Sequence, residues 1–125
     1  MLDIEVRGPL FSGNAPAIFE EGVRSAINEA ALRGEVLVKG HLWPGHGVRT
    51  GHYRRSIHGE MRDSAMGVVH DSNVVYGPWL EGVSSRNERS RFKGYAMFRL
   101  GAQQLERDVS AIGRKWAAWI AERLG

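Results

Sequence analysis

The chain reads as an α+β domain in which two long helices pack on a small, mostly antiparallel β-sheet. Three observations predict it: period-two alternation at the start, helical spacing of apolar residues over two long stretches, and a strand-turn-strand pattern between them. With 125 residues and 42% hydrophobic content, residues 1–125 supply one core and are expected to form a single domain.

Leu2, Ile4 and Val6 alternate with Asp3, Glu5 and Arg7, which predicts a half-buried strand ended by Gly8-Pro9. After a loop through Ser12-Gly13-Asn14, Phe19, Val23, Ala26, Ile27, Ala30 and Leu37 fall at helical spacing, predicting a helix from about Pro16 to Lys39. Asn14 suits its cap, Pro16 its first turn and Gly40 its end. Gly22 and Gly34 each cost up to about 1 kcal/mol relative to alanine inside a helix, so a kink or close packing is expected at them. Trp43-Pro44-Gly45-His46-Gly47 breaks the periodicity and reads as a loop.

Between Arg55 and Asp71, the residues Ile57, Gly59 and Met61 and then Val68 and Val69 predict a hairpin turning near Arg62-Asp63-Ser64. Val74 to Gly82 is short and apolar, and Pro78 fits only a first turn, so a short helix or turn is expected there. The broadest apolar face runs through Met97, Leu100, Leu105, Val109, Ile112, Trp116, Trp119, Ile120 and Leu124, predicting a long C-terminal helix. Trp116 and Trp119 lie on neighbouring faces of that helix, so partly buried core packing is expected for them, with availability of one to a partner as the alternative.

Cysteine is absent, which excludes thiol catalysis, disulfide frameworks and thiolate metal sites. No apolar run approaches the roughly 20 residues a membrane-spanning helix needs. The opening Met1-Leu2-Asp3-Ile4-Glu5 lacks the basic-then-apolar order of a secretory signal, so synthesis in the cytoplasm and no membrane partner are expected. Lysine plus arginine number 17 against 14 aspartates plus glutamates, a net charge of +3. The stretch from Ser84 to Gly94 carries Arg86, Arg89, Arg91 and Lys93 against Glu88 alone, a surplus equal to that of the whole chain. Such a run reads as a solvated loop, or as a contact with an acidic protein surface or with phosphate.

His41, His46, His52, His58 and His70 are five, six, six and twelve residues apart, not the three or four that let one helix face hold a metal. No paired-carboxylate cluster, nucleophile elbow around Ser56 or phosphate-binding glycine loop occurs. A small nuclease using His46 and His58 as acid and base, with Arg54 or Arg55 stabilising charge, is chemically conceivable but has no supporting spacing. The expectation is a protein without catalytic residues, metal or cofactor.

Two segments carry a resemblance. Val48-Arg49-Thr50-Gly51-His52-Tyr53-Arg54-Arg55-Ser56-Ile57 is followed by the strand pair. Val74-Val75-Tyr76-Gly77-Pro78-Trp79-Leu80-Glu81-Gly82-Val83 then precedes the basic loop, Gly94-Tyr95-Ala96-Met97-Phe98-Arg99 and the final helix. In this order they resemble the neck or tail-completion proteins of long-tailed bacteriophages, related to the minor tail protein Z group. That pattern has threonine-glycine, a hydrophobic residue, a polar or basic pair and Ser-Ile, and later Tyr-Ala-x-x-x-Glu-x-Gly-Thr. Thr50, Gly51, Arg54, Arg55, Ser56, Ile57, Tyr76, Glu81 and Gly82 correspond to it, while Gly77 stands for the usual alanine and Val83 for the usual threonine. The resemblance spans about residues 16 to 124, without the usual proline-phenylalanine approach to the final helix.

The resemblance implies a non-enzymatic virion protein, made in the bacterial host cytoplasm and assembled as a homo-oligomeric ring where the tail joins the DNA-filled head. Neighbouring connector and tail proteins would be its partners, and the loop bearing Arg86, Arg89, Arg91 and Lys93 would reach a neighbouring subunit or the DNA passage. Tail terminator and head-side adaptor or stopper are adjacent roles in the same assembly. Thr50 is expected to cap the turn or helix that follows, Gly51 to give backbone freedom, Arg54 and Arg55 to present charge, and Ile57 to anchor in the core. Tyr76, Trp79 and Leu80 are expected to pack the short segment onto the sheet. That leaves Glu81 for solvent, a neighbouring subunit's arginine or the basic loop. From a different class, the sequence isoelectric point near 9.7 and the arginine-rich loop also fit a basic nucleic-acid-binding protein.

Overall fold

Valines and small residues make the centre of the sheet. In a computed structural model, which describes residues 2–6, 17–42 and 48–124, β3 (Met66–His70) lies between β1 (Asp3–Val6) and β2 (His58–Asp63). Both neighbours are antiparallel to it, with Ile4 and Gly59 opposite Val69 and Glu5 and Glu60 opposite Val68. Gly67, Val68 and Val69 are buried, as befits a central strand, whereas the edge strand β2 alternates with solvent. The β2–β3 hairpin has a register irregularity between Met61 and Asp63, and the Asp63 Oδ1 accepts the Ala65 amide at 2.7 Å. Its turn thus falls at Ser64-Ala65, slightly beyond the expected position.

Helices α1 (Ala17–Lys39) and α5 (Met97–Leu124) run antiparallel, since Gly22 meets Trp119 and Ile120, Gly34 meets Leu105, and Val38 meets Gly101. The buried stripe of α1 is Gly22, Ala26, Ile27, Ala30, Ala31, Gly34 and Val38. The expected stripe is corrected accordingly: Phe19, Val23 and Leu37 are only partly covered, because the positions that face the sheet and α5 are held by small residues that permit close approach. Gly22 and Gly34 are therefore close-packing sites. The seam's outer margin carries an Arg33–Asp108 ion pair at 2.9 Å, a Lys115–Glu29 pair and a His41–Gln104 contact at 3.1 Å. Gly8-Pro9, the loop and cap at Ser12 to Pro16, and Trp43 to Gly47 lie outside the described residues.

Three short helices complete the fold: α2 (Val48–Arg55), α3 (Gly77–Glu81) and α4 (Ser85–Glu88). Pro78 stands in the first turn of α3, where its missing N–H costs no helix bond. Two expectations change. Thr50 is not the N-cap of the helix it precedes, because α2 already begins at Val48. The basic stretch is not a bare loop, because it contains α4. The core joins α1, α2, the sheet, α3 and the start of α5 through Val38, Leu42, Tyr53, Ile57, Val69, Leu80, Met97 and Phe98. Among the described residues no helix is long and apolar enough to cross a membrane.

Candidate functional site

The two resemblance segments meet between α2, the end of β3 and the start of α5, around polar groups taken out of water. Tyr53 of α2 is fully buried, and its hydroxyl donates to the Oδ2 of buried Asp71 at 2.8 Å. Burial first, then the hydrogen bond to Asp71 and the negative charge behind it, push the Tyr53 hydroxyl far above its ordinary pKa, so it remains a proton donor. The other oxygen, Oδ1, accepts the Asn73 amide at 2.9 Å, closing a turn in which Ser72 and Asn73 have φ of 60° and 58°. The Tyr76 ring lies 5.8 Å from that of Tyr53. A Cβ at Gly77 would overlap the Asp71 carboxylate, which explains glycine where the resemblance pattern has alanine.

Glu81 requires a correction. It is 7% exposed, not left to solvent, and accepts the Phe98 amide at 2.8 Å and the Arg99 amide at 3.1 Å. These amides belong to the first turn of α5, whose N–H groups have no partner within the helix and whose dipole favours a negative charge. A carboxylate on α3 thus caps a helix 17 residues farther along the chain. The backbone reinforces the junction, with the Tyr95 amide donating to the Leu80 carbonyl at 2.7 Å and the Ala96 amide to the Glu81 carbonyl at 3.2 Å. Gly82 and Gly94, at φ of 99° and 93°, cross so closely that a Cβ on Gly82 would overlap the Lys93 carbonyl oxygen and one on Gly94 the Gly82 backbone.

The segment after Gly82 is folded on itself. Ser84 and Asn87 form a capping box around α4. Buried Asn87 accepts the Ser84 amide at 3.0 Å and donates its amide group to the Trp79 and Phe92 carbonyls at 3.2 and 3.1 Å. The Trp79, Phe92 and Tyr95 rings pack in series at 5.1 and 4.9 Å. Trp79 therefore packs against the segment that follows it as well as against the core, which modifies the expectation that it would simply pin α3 to the sheet. The Lys93 ammonium donates to the Asn87 and Glu88 carbonyls at 3.0 and 3.2 Å, so this cation serves the end of α4. Arg86, Arg89 and Arg91 are exposed, and among the described residues none has a carboxylate partner.

The other predicted residues take separate places. Ile57 is fully buried. The Arg54 Nε donates to the Lys39 carbonyl at the end of α1 at 3.3 Å, and Arg55 is exposed. The Ser56 hydroxyl donates to the His52 carbonyl, and the Ser56 carbonyl accepts the Ser72 hydroxyl at 2.8 Å. Gly51 lies within α2, and the Thr50 side chain falls outside the described residues. His46 also falls outside them, while the His58 ring lies 6.0 Å from that of His70. His70 Nδ1 accepts the Ser72 amide at 2.9 Å, which leaves the Nε2 proton to donate to Glu60 at 2.7 Å. No group of three or more residues suited to hold a metal occurs among the described residues.

Nothing in the local sequence marks Tyr53 as a hydroxyl taken out of water, or Asp71 and Asn87 as buried polar side chains. Asp71-Ser72-Asn73 carries a turn signature, but only the packing of α2 behind it makes Asp71 a buried acceptor. An open groove of about 300 Å³, largely apolar and rimmed by Glu5 and Glu106, runs beside β1 between Ala26, Ile27, Ala30 and Leu105, Val109. Comparisons with protein-family models, curated proteins and solved structures return no match to the chain.

Proposed function

We propose that this chain is a structural virion protein of a long-tailed bacteriophage, assembling as an oligomeric ring at the neck or tail-completion position of the head–tail interface. The supporting observation is the convergence of the two resemblance segments on one junction. Tyr53 and Ile57 from the first, and Tyr76, Glu81 and Gly82 from the second, join α2 and α3 to the first turn of α5. Of the residues that correspond to the pattern, Ile57, Tyr76, Glu81 and Gly82 thus do framework work in this chain, as a scaffold role requires.

Immunogold electron microscopy of particles from the phage or induced prophage that encodes the chain tests this reading. Label concentrated at the head–tail junction is expected, and its height relative to the head separates tail completion from terminator or head-side adaptor. Particles free of the chain, with labelling controls working, overturn the proposal.

A further inference from the structure

The stretch from Ser84 to Gly94 combines a rigid base with an uncompensated rim. Its base uses the buried Asn87 side chain on three backbone partners, the Ser84 capping box, the Lys93 ammonium on two carbonyls and the Gly82–Gly94 crossing. Its rim presents Arg86, Arg89 and Arg91 to solvent, with Glu88 the one carboxylate among them. Flexible basic tails lose entropy when they bind, whereas guanidinium groups on a folded base lose less.

We propose that this arginine rim is a binding surface for the phosphate backbone of nucleic acid. The choice over an acidic protein partner rests on where the apolar groups lie. Centres of protein–protein interfaces are depleted in charge and enriched in aromatic residues, whereas nucleic-acid interfaces are polar and strongly positive. Here Trp79, Phe92 and Tyr95 pack against one another at tilted and edge-on angles, and no large apolar side chain within the stretch is exposed, Val83 at 66% lying just before it. The rim offers charge and planar bidentate donors without an apolar anchor. It has no element suited to reading base edges, so binding is independent of sequence. Lys93, by its two carbonyl contacts, belongs to the base and not to the rim.

Fluorescence anisotropy with a labelled 20-base-pair duplex, titrated with the full chain, tests the surface. Three phosphate contacts give a slope of about −2.7 for log K against log salt, or about 40-fold weaker binding at 200 mM than at 50 mM salt. Arg86→Gln/Arg89→Gln/Arg91→Gln is expected to abolish the measurable binding. The charge-matched Arg24→Gln/Arg107→Gln/Arg114→Gln, at exposed positions on α1 and α5, is expected to retain most of it. Equal loss in both triple variants, or no binding by the parent chain at 50 mM salt, overturns the proposal. So does a rim variant that keeps DNA binding but loses self-association in sedimentation, since the rim is then a protein contact. DNA binding through the rim by a chain absent from particles would retain this inference and remove the virion reading.

Discussion

Along the α1–α5 seam the chain makes room, while between Asp71 and Phe98 it makes hydrogen bonds. Gly22, Gly34 and Gly101 admit Ile120, Leu105 and Val38, so the helices meet through absent side chains. In the second region Asp71, Glu81 and Asn87 are buried and each is satisfied by named donors or acceptors. The difference separates two vulnerabilities. Added volume should break the seam and lost acceptors should break the junction, because packed interiors resist new atoms whereas unpartnered buried polar groups carry their full desolvation cost.

The two meet at Gly94, where added volume strikes the junction itself. Gly94→Ala places a Cβ into the Gly82 backbone at a φ that L residues rarely adopt, and a loss of about 4 kcal/mol is expected from the urea midpoint. Glu81→Ala removes the acceptor of two first-turn amides, with an expected cost of about 3 kcal/mol, and Glu81→Gln should cost about half as much because it keeps one oxygen. Hydrogen exchange at Phe98 and Arg99 localises the effect. Unchanged protection there would mean that the carboxylate does not cap α5.

Within α5 two alanine substitutions should have opposite signs. A Cβ at Gly101 lies 2.8 Å from a Val38 methyl and 3.2 Å from Val38 backbone, whereas nothing lies within 4 Å at Gly113. Gly101→Ala should lower stability by about 1 to 2 kcal/mol through overpacking, and Gly113→Ala should raise it by up to about 1 kcal/mol through helix propensity. Equal signs in thermal unfolding would show that the seam is looser than described. The smallest expected effect belongs to Glu35, which accepts the Gly59 amide at 2.7 Å and pairs with Lys39 at 3.1 Å. Partial burial pushes its carboxyl up, but the Gly59 N–H, Lys39 and the nearby His58 together hold it below the usual 4.5. Its contribution is therefore complete above that value and fades as pH falls through the lower folded value. The stability gap between the parent chain and Glu35→Gln should narrow between about pH 5 and pH 3, whereas a constant gap would show that ionisation is not the source.

Much of the framework was legible in local pattern. The Leu2–Val6 alternation, the Val68-Val69 hairpin arm and the apolar periodicity of α5 correspond to β1, β3 and α5, because a half-buried strand or helix imprints its period on the residues that enter the core. The candidate site was less legible. Glu81 looks like a surface carboxylate in a short helix, and nothing near it in sequence states that the free amides of Phe98 and Arg99 will be its neighbours. Asn87 sits inside a charge run that composition assigns to solvent, yet its side chain binds carbonyls on both sides of α4. Such roles depend on contacts between segments, which a one-dimensional period does not encode.

By itself, then, the sequence determined the class of fold, its principal elements and the concentration of positive charge between Ser84 and Gly94. Only the tertiary structure decided that Lys93 serves the base while Arg86, Arg89 and Arg91 remain at the rim, and that Glu81 and Asp71 turn inward. The physical reason is that burial follows from periodic local preference, whereas the destination of a polar side chain follows from which unpaired backbone groups the folded chain brings within hydrogen-bonding reach.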